Sequence, residues 1–178
     1  NHVRTEKNIG VLARNIGMEQ AKGDIIITID DDILNLLDEH LLNIISIFKE
    51  RPTLGALNFK ILDEQGMICC WAHHCKEEDN HNNEFLTYEI TEGAVAFRKS
   101  CLIKSGYYPK EFFISHEGPD LAFSIFESGF DVMYSGKVQV THCYSSHARE
   151  SWRNYYYDTR NQFWLAIRNF PLSYSIYY

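Results

Sequence analysis

Gly23-Asp24-Ile25-Ile26-Ile27-Thr28-Ile29-Asp30-Asp31-Asp32 is the stretch on which the fold turns. A β-branched run behind Gly23-Asp24 predicts a buried strand, so the three carboxylates fall where its carboxyl end meets solvent. Open α/β sheets place their ligands at that end. Adjacent carboxylates repel one another unless cations or hydrogen-bond donors neutralise them, which makes the cluster a candidate site for a hard divalent metal. The plainer alternative is an acidic strand-to-helix turn in which Asp32 or a neighbour caps the next helix.

On the amino-terminal side, Ile9, Val11, Leu12, Ile16 and Met18 predict a helix within 6–21 with a loop before it. On the other side, Leu37, Leu41, Leu42, Ile44, Ile45 and Phe48 recur at helical spacing as far as Glu50, where Arg51-Pro52 stops the helix, and 54–61 reads as a second strand. This alternation predicts a largely parallel sheet with crossover helices. Short strands follow at 85–90 and 94–98, then a helix at 100–105 with Gly106 suited to a left-handed C-cap. Glu117 is expected in a loop, and Leu121, Ala122, Ile125 and Phe126 give the next helix an apolar stripe closed by Gly129. Two strands are expected at 132–134 and 138–141, the second ending at His142. A closing helix at 152–169 carries Trp152, Tyr155, Tyr156, Phe163 and Ile167 at a spacing that more often means core than a binding platform. Arg153, Arg160 and Arg168 of that helix are the better candidates for reaching a ligand.

With 178 residues, 45% of them apolar and 14% aromatic, the chain suits one domain with a sizeable core. Seventeen basic against 24 acidic residues give a net charge of -7, which argues against nucleic acid as a partner but leaves room for a phosphorylated substrate bridged by a metal. No signal peptide or bilayer-length apolar stretch is visible. Cys69, Cys70, Cys75, Cys101 and Cys143 are odd in number and form no framework, which favours free thiols and a reducing compartment, hence a cytoplasmic placement that includes the inner face of a membrane. The run from Cys69 through Trp71 to Cys75 gathers soft ligands but lacks paired Cys-x-x-Cys spacing, so a strand end at 69–71 and a surface loop at 76–83 are preferred to zinc.

Three separated pieces thus point to one chemistry: an acidic cluster after a strand, a second acidic pair, Glu117 and Asp120, at a helix start, and a histidine ending a later strand. Oxygen and nitrogen ligands of this kind suit Mn2+ or Mg2+. Order and local sequence resemble the family 2 glycosyltransferases of the GT-A fold. The resemblance runs through Asn8-x-Gly10 with Arg14-Asn15, Ala21-x-Gly23-Asp24, Asp30-Asp31-Asp32, Gly93, Gly106-Tyr107-Tyr108 with Phe112-Phe113, Glu117-x-x-Asp120-Leu121, Gly129-Phe130 and His142.

The resemblance implies an α/β, Rossmann-like mixed sheet flanked by helices, and inverting transfer from a UDP-, GDP- or dTDP-sugar to a glycan or lipid-linked acceptor hydroxyl. It implies Asp30, Asp32 and His142 as metal ligands, with Asp30 sharing the metal or holding the ribose. Arg14, Asp30, Asp31, Gly93, Arg153 and Arg160 are the donor-binding candidates, and Trp71, Tyr107, Tyr108 and Phe112 are either acceptor-stacking aromatics or core. Residues 1–62 would form the donor and metal side, 63–150 the acceptor side and 151–178 a carboxyl-terminal helix.

Two departures from the family pattern stand out. Gly118 occupies the position where the family's aspartate base commonly stands, so the base falls to Glu117, with Asp120 and His116 as alternatives. The family's first strand, with its nucleobase-holding turn, has no counterpart before Asn1-His2-Val3-Arg4, which suggests an incomplete domain whose exposed sheet edge favours self-association. Peripheral membrane association is compatible with a lipid-linked acceptor. The competing reading is a catalytically impaired or non-catalytic module of the same fold that acts in binding or assembly.

Overall fold

The computed structural model describes residues 2–69, 81–91, 93–144 and 151–175. Helix α1 (Leu12–Gln20) leads into β1 (Ile25–Ile29), the two-residue strand β2 (Ile33–Leu34), helix α2 (Asp38–Glu50) and β3 (Leu54–Leu62). Then come β4 (Glu84–Leu86), β5 (Ala94–Arg98), α3 (Lys99–Ser105), α4 (Glu117–Glu127), β6 (Asp131–His142), α5 (Ser151–Asn169) and α6 (Leu172–Ser175).

The strands form one six-stranded sheet in the order β1-β5-β3-β6-β2, with β4 pairing β6 off that path. Strand β3 is central and both of its faces are covered, so Leu54 to Ile61 are all buried, the polar Asn58 and Lys60 among them. Alternation along β5 sends Val95 and Phe97 to a core shared with Met18 of α1, Leu102 of α3 and Leu121 and Ile125 of α4. Its other residues, Ala94 and Ala96, face a second core built with Ile44, Ile47 and Phe48 of α2. Inside β3, Asn58 is wholly buried and satisfied, donating to the carbonyls of Glu89 and Met133 and accepting from the Thr91 amide.

The structure corrects several expectations. The sheet is mixed, but among the described residues only β3 and β6 run parallel; the β1–β5, β3–β5, β2–β6 and β4–β6 pairs are antiparallel. Alternating strands and helices predict parallel order, whereas β5 inserts between β1 and β3 in the opposite sense. The two strands expected at 132–134 and 138–141 are one twelve-residue strand with register shifts against β3. The strand expected at 85–90 shortens to β4. Glu117 is not in a loop but opens α4, so that helix begins four residues before Leu121. Gly106 takes a positive φ of 84°, with extended ψ in place of left-handed helical geometry.

The carboxyl-terminal helix α5 is where the hydrophobic pattern misleads most. Trp152, Tyr155, Tyr156, Phe163 and Ile167 are all exposed, between 53% and 76%. Among the described residues of α5, Asn161, Leu165 and Ala166 are the buried ones. Tyr108 and Phe112, by contrast, are core at 2% and 1% exposed, and Tyr107 packs partly buried against that core. Cys70, Trp71, Cys75 and most of the expected 76–83 loop lie outside the described residues.

Candidate functional site

The acidic turn is built by β1 and β2. Asp30 leaves β1 with its amide donating to the carbonyl of Gly93 at 3.0 Å, just where β5 begins, which fixes Gly93 against the backbone of the first acid. Asp31 is exposed, while Asp30 and Asp32 are half-buried. Strand β2 then returns the chain to the sheet: Ile33 pairs with His142 and Leu34 with Thr141. That short ladder brings His142 Nε2 to 3.3 Å from Asp32 Oδ2, and the Cys143 amide donates to the Asp32 carbonyl at 2.8 Å. Asn35 stops β2 in a left-handed conformation (φ 65°), which asparagine tolerates, and its amide donates to Thr141 Oγ1 at 3.0 Å.

Asp30 has a different partner. The Arg14 guanidinium of α1 donates to Asp30 Oδ1 in a part-buried ion pair. Arg14 is aimed there by the start of α1. Asn8 Oδ1 accepts the Gly10 amide at 2.9 Å, and Gly10 adopts a φ of +60°. Any Cβ at Gly10 would fall 2.1 Å from the carbonyl oxygen of Phe113, the same oxygen that accepts the Val11 amide at 3.0 Å. Asn15 ties the other face of α1 down, exchanging hydrogen bonds with the Tyr108 backbone at 2.9 and 3.1 Å. The Asn8-x-Gly10 and Arg14-Asn15 residues and the 106–113 segment are thus two sides of one contact.

Glu117 lies 3% exposed at the head of α4, and its Oε2 has no hydrogen-bond partner among the described residues. Burial pushes its carboxyl above the ordinary glutamate range; its own backbone amide and the Arg14 charge pull the other way, and the Asp30 charge pushes it up again. Glu117 is therefore within electrostatic reach of the Arg14–Asp30 pair. Asp120 is equally buried, at 2%, but fully engaged: Oδ1 accepts Arg168 Nε at 2.9 Å and Asn169 Nδ2 at 2.8 Å, and Oδ2 accepts an Arg168 guanidinium N–H at 3.3 Å. His116 Nε2 lies 3.1 Å from Asp158 Oδ1, within ion-pair distance but off hydrogen-bond alignment.

The arginines of α5 turn inward. The Arg153 guanidinium lies over the Phe113 ring at 5.1 Å. Arg160 lies over Tyr157 at 4.8 Å and donates to the Glu111 carbonyl and to Asn161 Oδ1. Sequence reading passed over Asn161, whose Nδ2 donates to the carbonyls of Ile114 and Ser115, both at 2.7 Å. The one signal for it was a polar residue set among the aromatics of α5, on the side opposite their stripe.

The structure thus brings Asp32 together with His142, and Asp30 with Arg14, Gly93 and the electrostatic field of Glu117. The donor set of Asp32 and His142, one oxygen and one imidazole nitrogen, fits Mn2+ or Mg2+ in kind. No cluster of three or more His, Cys, Asp or Glu side chains with metal-ligand spacing occurs among the described residues. Further ligands would have to come from the bound molecule and solvent. No helix among the described residues is long and apolar enough to cross a membrane.

Solved structures share the architecture, at low sequence identity. No protein-family model matches the chain. An uncharacterized protein of Haemophilus influenzae is 31% identical over 113 residues, 61% of this chain and 60% of that protein. Among solved structures, the mannosyltransferase PcManGT from Pyrobaculum calidifontis, in complex with GDP-Man and Mn2+, matches with a TM-score of 0.65 at 19% identity, over 94% of this chain and 46% of its own. GalNAc-T7, solved with UDP, GalNAc and Mn2+, matches with a TM-score of 0.62 at 18% identity, over 83% of this chain and 33% of its own. The chain spans less than two thirds of each of these proteins. At these identities the likeness is one of fold: the mixed sheet flanked by helices is that of the GT-A glycosyltransferases.

Proposed function

We propose that the chain is part of a metal-dependent, inverting glycosyltransferase of family 2 that moves a sugar from a nucleoside-diphosphate sugar to an acceptor hydroxyl in glycan or polysaccharide synthesis. One observation carries this reading: a buried glutamate, one of whose oxygens has no hydrogen-bond partner among the described residues, stands in the field of the Arg14–Asp30 pair, on the acidic turn whose third carboxylate, Asp32, meets a strand-end histidine.

Asp32 and His142 would hold Mn2+ or Mg2+. When bound, the ion neutralises charge that develops on the departing diphosphate. Asp30, oriented by Arg14, would hold the donor's ribose, with Asp31 at the rim and Gly93 letting the sugar approach the backbone. Glu117 would accept the proton of the acceptor hydroxyl. The acceptor oxygen bonds to the anomeric carbon as that carbon's bond to the diphosphate oxygen breaks, and the bonding electrons leave with the nucleoside diphosphate. Asp120 is the less suited base because both of its oxygens already accept hydrogen bonds. Arg153 and Arg160 support the loop beside the site, from which Arg153 would reach the donor only by leaving the Phe113 ring.

The test uses the full-length protein. Mn2+ is expected to raise its thermal midpoint only with UDP, GDP or dTDP present, and Asp32→Ala is expected to remove that effect. A nucleotide-sugar hydrolysis screen then names the donor, and product anomeric configuration tests inversion. Absence of a shift with every nucleoside diphosphate would count against the reading. Complete loss of turnover in Glu117→Gln with activity retained in Asp120→Asn is expected, and the reverse would move the base to Asp120.

A further inference from the structure

We propose that Asn161 is a positioning residue for Glu117: its side-chain amide clamps the strained corner Ser115-His116 that delivers Glu117 into the site. The inference rests on the reading of Glu117 as the base.

Ser115 and His116 adopt φ values of 73° and 64°, so two successive residues with side chains occupy the left-handed region. That conformation is costly for any residue that carries a Cβ. Left alone, the corner would relax and carry the first residue of α4 with it. Asn161, 0% exposed, opposes this by donating both hydrogens of its amide, one to the carbonyl of Ile114 and one to that of Ser115, each at 2.7 Å.

The amide's orientation is fixed by its other end. Oδ1 of Asn161 accepts Arg160 Nε at 2.9 Å and an Arg160 guanidinium N–H at 2.8 Å, and those donors cannot face an NH2 group. Arg160 also donates to the Glu111 carbonyl at 2.9 Å, and Tyr157 stacks on Phe113 at 5.0 Å. Helix α5 therefore grips the segment before Glu117 along its length. An ordinary buried asparagine needs partners anywhere; this one takes the carbonyls on either side of Ser115, those of Ile114 and of Ser115 itself.

The full-length Asn161→Asp protein tests the clamp, because aspartate keeps the Arg160 contact while losing both donors. Its kcat is expected to fall about 10- to 100-fold with donor KM nearly unchanged, the signature of a displaced catalytic group. Ser115→Gly in that background removes part of the backbone strain and is expected to recover most of the loss. Amide hydrogen exchange in 112–120 is expected to rise in the single variant and fall back in the double. An unchanged kcat, or a loss that Ser115→Gly does not recover, would overturn the proposal. Should Asn161→Asp not fold, Arg160→Lys, which loses the fork that orients Asn161, is expected to show the same local exchange signature at smaller amplitude, and its absence would overturn the clamp. A wild-type protein that turns over no nucleotide sugar would remove the proposed function and, with it, the task assigned to Glu117. Exchange in 112–120 would then judge the clamp by itself, reversal by Ser115→Gly supporting it and its absence rejecting it.

Discussion

Glu117 is held in an environment that favours its protonated form, and the consequence for stability has a definite sign. Burial raises its carboxyl above the ordinary value of 4.5. A group raised in this way contributes its full stability below the unfolded value, and that contribution is lost as pH climbs through the folded value. Glu117→Gln is therefore expected to melt higher than wild type at pH 7, by a few degrees if about 1 kcal/mol of desolvation cost is relieved. The difference should vanish near pH 4, where the wild-type carboxyl is protonated too. Thermal melts at the two pH values check this; a variant less stable than wild type at pH 7 would mean that the charged carboxylate is satisfied after all. At this scale the acids were legible because a β-branched run ending in carboxylates constrains where they lie. The partner choices were not: the Arg14–Asp30 pair and the grip of Asn161 on Ile114 and Ser115 depend on how distant segments pack.

Among the elements, α5 shows what a hydrophobic period can and cannot say. The spacing of Trp152, Tyr155, Tyr156, Phe163 and Ile167 correctly marks one stripe, but periodicity does not reveal which way a stripe faces. Here the opposite side packs, joined to the rest by Asn161 and by Arg168 on Asp120. Arg168→Met would leave the buried Asp120 carboxylate with Asn169 as its one side-chain partner among the described residues and is expected to cost about 2–3 kcal/mol. That is less than the roughly 3–5 kcal/mol of breaking a fully buried pair, since the Arg168 side chain is 37% exposed and partly screened. Denaturant unfolding checks the value, and a loss under about 0.5 kcal/mol would assign the pair to the surface class. The two-residue β2 escaped sequence reading for a simpler reason. Ile33-Leu34 is too short for any pattern, and it becomes a strand only because the end of β6 is there to pair with it.

On the scale of the whole molecule, the sheet order leaves β1 at an edge among the described residues, with Ile29 47% exposed. A short apolar edge strand invites pairing with another chain. The 178-residue chain is expected to self-associate with rising concentration, and Ile29→Lys to reduce this while the far-ultraviolet circular dichroism stays unchanged. Sedimentation velocity measures it, and equal association in both proteins would move the contact elsewhere. The fold class was legible because apolar runs, acidic strand end and helical stripes agree with one another. The antiparallel insertion of β5 was not, since strand direction depends on pairings between segments far apart in the chain.

The hydrogen bond from Val11 to Phe113 shares this long-range character with the pairing of Ile33 to His142 and the clamp of Asn161 on Ile114. Contacts that close large loops form only after much of the chain is already ordered. During refolding, helix content is therefore expected to return before the Asp32–His142 and Asn161 contacts form, which stopped-flow circular dichroism and pulsed hydrogen exchange would resolve. The candidate site is therefore expected to form late, after the helices that frame it.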